Sequence, residues 1–89
     1  MVKVKIYTED LNRESIESIV GKKFDGFTLI PAIGYWKGEK EKSLIIVIVS
    51  DAEEVLIRMK VNDIVNWLKN KNNQEQVMVE ISHPFITFV

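Results

Sequence analysis

Val2, Val4 and Ile6 alternate with Lys3, Lys5 and Tyr7 at the start of this chain, which is the period of a half-buried strand. Ile16, Ile19 and Val20 follow at helical spacing. They predict a short helix with Asn12 as N-cap and with Leu11 and Ile16 placed as a hydrophobic staple. Asp25 and Gly26 are expected to end it, with Gly26 in the left-handed conformation past the last turn. A second strand is expected over 27–36, a charged turn over 37–42 and a third strand over 43–49. Phe27, Leu29, Pro31, Ile33 and Tyr35 share one face of the second strand; Thr28, Ile30, Ala32, Gly34 and Trp36 share the other. Pro31 and Gly34 point to an edge or a bulge. The third strand is apolar on both faces, Leu44, Ile46 and Ile48 against Ile45, Val47 and Val49. Both faces must therefore be covered.

Ser50 to Glu53 has capping-box spacing and opens a second helix. Its stripe runs through Ile57, Val61, Ile64, Val65 and Leu68. Val55, Leu56, Met59 and Trp67 flank that stripe as a second contact surface. The Asn- and Lys-rich stretch 69–73 ends the helix. Val77, Val79 and Ile81 mark a fourth strand over 76–82, broken at His83 and Pro84. A short terminal strand or tail is expected over 85–89.

The order is β-α-β-β-α-β in one domain, 1–89. That is the ferredoxin-like α+β fold, with both helices on one face of an antiparallel sheet and a long hairpin between the second and third strands. Helices on one face leave the other apolar face bare, and a second copy of the same sheet is the simplest cover.

Composition narrows the function classes. The 89 residues are 46% hydrophobic and 28% charged, with a net charge of -1 and no cysteine. This excludes disulfides and thiolate metal sites and gives no global pull toward nucleic acid or anionic membrane. The first ten residues lack the apolar core of a signal peptide. The longest apolar run, Leu44 to Val49, is far too short to span a membrane. A cytoplasmic location is the expectation.

The segment IPAIGYWKG at 30–38, the charged turn to Lys42 and SLIIV at 43–47 resemble the hairpin of CutA-type proteins. CutA and the PII signalling proteins share the ferredoxin-like fold and form trimers whose sheets face the threefold axis. The chain also resembles small bacterial and phage-associated proteins with a GYWKG hairpin and an NNQE turn, here Asn72 to Glu75. It departs from PII proteins in its short hairpin tip and in lacking their nucleotide-binding glycines and basic residues. The resemblance implies a homotrimer with ligand clefts between subunits. Tyr35, Trp36, Lys37, Glu39 and Lys42 are the expected ligand residues, and Ile30, Trp36, Ile46 and Ile48 the expected interface.

No motif in the chain specifies a reaction. His83 is the only histidine and has no cysteine to share a metal with. At a strand end before proline, it reads as a surface strand breaker. Glu9, Asp10, Glu39 and Glu41 could pair as carboxylates or hold a cation. Lys37, Lys40 and Lys42 alternate with the two hairpin glutamates and favour a solvated turn. GYWKG does not open a helix, so it lacks the anion-binding helix N-terminus of a phosphate loop. Trp36 and Trp67 read as interface anchors more readily than as stacking platforms. The third strand lacks the aromatics of an RNA-binding sheet. The expected protein is non-enzymatic and regulatory or sensing, without cofactor or metal. It takes a small ligand or a protein between subunits. The alternatives are an interaction or viral accessory module that docks its sheet on a partner, and an amino-acid-binding dimer like ACT domains.

Overall fold

The computed structural model describes all 89 residues. Its elements are β1 (Val2–Glu9), α1 (Arg13–Lys23), β2 (Thr28–Trp36), β3 (Glu39–Ser50), α2 (Glu54–Lys71) and β4 (Met78–Ser82). All strand pairs are antiparallel, in the order β2-β3-β1-β4. The two central strands are thus the first and third in sequence, as the ferredoxin-like split β-α-β requires.

Both helices cover one face. Val2, Val4 and Ile6 from β1 and Leu44, Ile46 and Ile48 from β3 close a core with Ile16 and Val20 of α1, Phe24, and Ile57, Val61, Ile64 and Leu68 of α2. Alternation along β1 and β3 produces this: every second side chain enters the core and its neighbour emerges on the open side. Burial of these aliphatic side chains, each worth roughly 1.5–3 kcal/mol, is the main stabilising term.

Several local expectations are corrected. The hairpin turn is only Lys37 and Gly38, with φ of 51° and 80°, and the strands continue up to Trp36 and Glu39. Positive φ at both central residues is the two-residue turn that matches the twist of a hairpin. This tight turn, rather than a six-residue tip, lengthens β3 to twelve residues. Pro31 and Gly34 make no bulge: pairing with β3 runs unbroken from Thr28↔Val47 to Trp36↔Glu39. Pro31 is tolerated because β2 is an edge strand. Ser50 does not cap α2. Its Oγ accepts from the Ala52 amide at 3.1 Å, and the helix begins at Glu54 with Glu53 as N-cap. Asn12 is the N-cap of α1, but its side chain makes no capping bond; it donates to Asn72 Oδ1 at 2.9 Å instead. Leu11 is exposed, so no staple forms. Gly26 is not left-handed; α1 ends when Phe24 turns extended and enters the core. No strand forms after Ser82.

Candidate functional site

The uncovered face of the sheet is a set of rows running across the strands. In register, Ile30 of β2, Ile45 of β3, Tyr7 of β1 and Met78 of β4 form one continuous row. The next row toward one end is Thr28, Val47, Lys5 and Glu80. Toward the other end stand Ala32, Ser43 and Glu9, then Gly34 and Glu41, then Trp36 and Glu39. The face therefore has an apolar middle and an acidic, aromatic end. Tyr7 donates its hydroxyl to Glu80 at 3.1 Å, and partial desolvation together with that carboxylate raises the phenol pKa.

At the acidic end lies a cleft of about 350 Å³ between the hairpin tip and the loop from α2 to β4. Glu9, Trp36, Lys37, Glu41, Asn73, Gln74, Glu75 and Gln76 line it. A hollow of about 250 Å³ adjoins it and shares Glu9, Glu41, Gln74 and Gln76. Side-chain bonds fix the loop. Gln74 accepts from the Glu9 amide at 3.3 Å and donates to Thr8 Oγ1. Asn72, buried at 7% exposure, donates to the Leu11 carbonyl at 3.0 Å and receives Asn12. The cleft thus has a preset wall, because its loop is tied to the end of β1.

Glu9 and Glu41 stand at diagonal positions of the paired strands β1 and β3, Glu9 opposite Ser43, and both line the two hollows. Partial burial, then the hydrogen bond and negative charge of Glu9, raise the Glu41 carboxyl above its ordinary value. Lys37 Nζ stands 5.8 Å from the centre of the Trp36 ring, within cation–π range. Gly34 keeps the floor open: a Cβ there would come within 2.5 Å of Ser43 Oγ. No group of three or more His, Asp or Glu side chains is arranged to hold a metal.

The five ligand residues expected from the sequence are divided by this geometry. Trp36 and Lys37 line the cleft. Glu39 pairs with Trp36 across the hairpin but does not line it. Tyr35 and Lys42 fall on the opposite, helix-side face of the strands; Tyr35 is 71% exposed, and Lys42 borders a hollow with Asp10 and Arg13. Of the interface residues, Ile30 and Trp36 are on the open side, 45% and 54% exposed. Ile46 and Ile48 are corrected: at 0% and 1% exposure they lie in the helix-covered core, and it is Ile45 and Val47 that stand on the open face. Trp67 packs against the core. His83 pairs with Glu54 of α2; His83 and Arg58 together hold the Glu54 carboxyl below its usual range. The sequence reading missed Gln74 and Gln76. It favoured a solvated turn for Glu41 over pairing with Glu9, although their common parity on adjacent strands was the available signal.

A hollow of similar size at the other end of the sheet contains Lys23 and Lys60. Both are already engaged, Lys23 with Asp63 at 2.9 Å and Lys60 over the Phe24 ring at 5.5 Å.

No family profile matches the chain, and no curated protein matches it in sequence. Solved structures match its fold. A phage SAM lyase in complex with S-methyl-5'-thioadenosine superposes with a TM-score of 0.73 at 17% identity, over 91% of this chain and 79% of the lyase. CutA1 from Pyrococcus horikoshii OT3 gives 0.65 at 16% identity, over 99% and 87%. CPII, a nitrogen regulatory PII-like protein from Thiomonas intermedia K12 bound to ADP, AMP and bicarbonate, gives 0.61 at 14% identity, over 94% of each chain. The chain has the ferredoxin-like fold, which it shares with these PII-like and CutA1 structures. The expectation of a non-enzymatic protein is overturned: it rested on the lack of a catalytic motif, and the same fold serves a lyase. No helix is long and apolar enough to cross a membrane.

Proposed function

We propose that the chain assembles as a homotrimer through its open sheet face and takes an S-adenosyl compound in the cleft beside Trp36. The charge of the cleft carries this reading: Glu9, Glu41 and Glu75 stand against Lys37. A phosphate-bearing nucleotide would meet three carboxylates, with no helix N-terminus or glycine-rich loop to receive it. A sulfonium or ammonium group is drawn in by the same charges. Trp36 offers a flat ring to a purine or a cation. Gln74 and Gln76 carry amides that can both donate to and accept from a ring edge. Two fold neighbours are complexes with adenosine compounds, the lyase with S-methyl-5'-thioadenosine and CPII with ADP and AMP; the acidic cleft favours the first kind. The half-exposed row Ile30, Ile45, Tyr7 and Met78 supports assembly, because a contiguous apolar strip marks a contact surface.

Calorimetric titration with S-adenosylmethionine, S-methyl-5'-thioadenosine and ADP tests the reading, with mass spectrometry of each mixture after incubation. Binding of the first two but not ADP is expected. Conversion of S-adenosylmethionine to S-methyl-5'-thioadenosine identifies an enzyme, and binding without conversion identifies a sensor. ADP as the tightest ligand, or no binding at all, overturns the assignment.

A further inference from the structure

The hollow beside the Trp36 cleft exists because a side chain is missing. Its floor is Ala32 and Gly34 of β2 and Ser43 of β3. The row Ile30, Ile45 and Tyr7 stands on one side of that floor, and Trp36 on the other. β4 begins at Met78, opposite Tyr7. The sheet therefore has no fourth-strand residue beside Glu9, and Gln74 and Gln76 of the loop close that side instead. Facing side chains on paired strands start only about 4.5–5.5 Å apart, so small residues between large ones leave a depression. The hollow shares Glu9, Glu41, Gln74 and Gln76 with the cleft, so one ligand can occupy both.

We infer that Gly34 determines specificity in this site: the hollow above it receives the 5'-alkylthio arm of an S-adenosyl compound whose purine lies at Trp36. This rests on the S-adenosyl reading of the cleft and adds which part of the ligand the chain selects. The backbone does not call for glycine here, since Gly38 is the only glycine with positive φ. Glycine inside a strand also weakens it. What calls for it is space. A Cβ on Gly34 would stand 2.5 Å from Ser43 Oγ and 3.6 Å from Glu41 Cγ, and both residues line the hollow. Ala32, Ile45 and the Tyr7 ring offer carbon to the arm. Glu9 and Glu41 belong to hollow and cleft alike, where the sulfur joins the arm to the nucleoside.

Calorimetry on the full chain with S-methyl-5'-thioadenosine, S-adenosylmethionine and adenosine, which lacks the arm, tests the inference. The unaltered chain should bind the two armed compounds more tightly than adenosine. Gly34→Ala should weaken both by about tenfold or more, the effect of one misplaced methyl group in a small pocket, and leave adenosine unchanged. Ala32→Leu fills the hollow from the neighbouring floor position and should give the same selective loss, which keeps the test open where Gly34→Ala does not fold. Ser43→Ala enlarges the hollow and should shift preference from the S-methyl compound toward S-ethyl-5'-thioadenosine, a change that no role in folding would produce. Equal losses for adenosine and the armed compounds, or affinities indifferent to all three substitutions, overturn the inference and leave the reading of the cleft standing. Failure of every compound to bind the unaltered chain overturns the two together.

Discussion

The two faces of β3 are one residue apart in sequence and behave as different materials. Leu44, Ile46 and Ile48 are sealed under the helices. Ile45, Val47 and Val49 are only half-buried on the other side, and Lys5 and Lys3 stand directly beside Val47 and Val49 in register. Both sets are β-branched or leucine, so composition does not separate them. What separates them is what the chain itself can cover. Two helices supply enough apolar surface for one face of a four-stranded sheet, and the second face is left with lysine stems and whatever binds from outside. The covered face determines whether the chain folds. The open face and its acidic end carry the function proposed above.

The sharpest way to break this contrast is to alter adjacent residues. Ile46→Ala should cost about 2–5 kcal/mol, because the fully buried site is left with a cavity; denaturant unfolding measures it. Ile45→Asp should leave the unfolding midpoint of the isolated domain nearly unchanged and dissociate the assembly, read as a fall in mass by light scattering. Equal effects from the two substitutions would mean that the faces are not distinct. Asn72→Ala should cost about 1–3 kcal/mol, since it strips partners from the Leu11 carbonyl and Asn12. It should also loosen the loop that walls the cleft, visible as faster amide exchange over 73–76.

The smallest effects are electrostatic and of opposite sign. The Asp10 carboxyl is held low by Arg13, so its contribution is present above the unfolded pKa and lost as pH falls through the folded one. The Glu41 carboxyl is held high, so its contribution is present below the unfolded pKa and lost as pH rises through the folded one. Arg13→Ala should therefore lower the melting temperature slightly at pH 7 and not at pH 2. Glu41→Gln should raise it slightly at pH 7 and not at pH 4.

Most of the architecture was legible because it depends on parity and period. Alternation in Val2 to Tyr7, the helical stripe of Ile57 to Leu68 and the two-faced run of Leu44 to Val49 suffice for the element order and for a bare sheet face. Parity alone cannot say which face of β3 meets the helices, and Ile46 and Ile48, expected at an interface, lie in the core for that reason. Register decides it: Val4↔Ile48 and Ile6↔Ile46 put the uncharged face of β1 with those residues. Part of the site was legible in Trp36 and Lys37. The rest depends on long-range contact. Gln74 reaches Thr8 and Glu9 across more than sixty residues of sequence, and no local pattern marks a glutamine that will do so.

Native mass spectrometry of the purified chain, alone and with S-adenosylmethionine added, tests the central claim most directly, since it reads assembly and occupancy together. The account predicts a trimer that binds S-adenosylmethionine or carries S-methyl-5'-thioadenosine. A bare monomer under both conditions would contradict it.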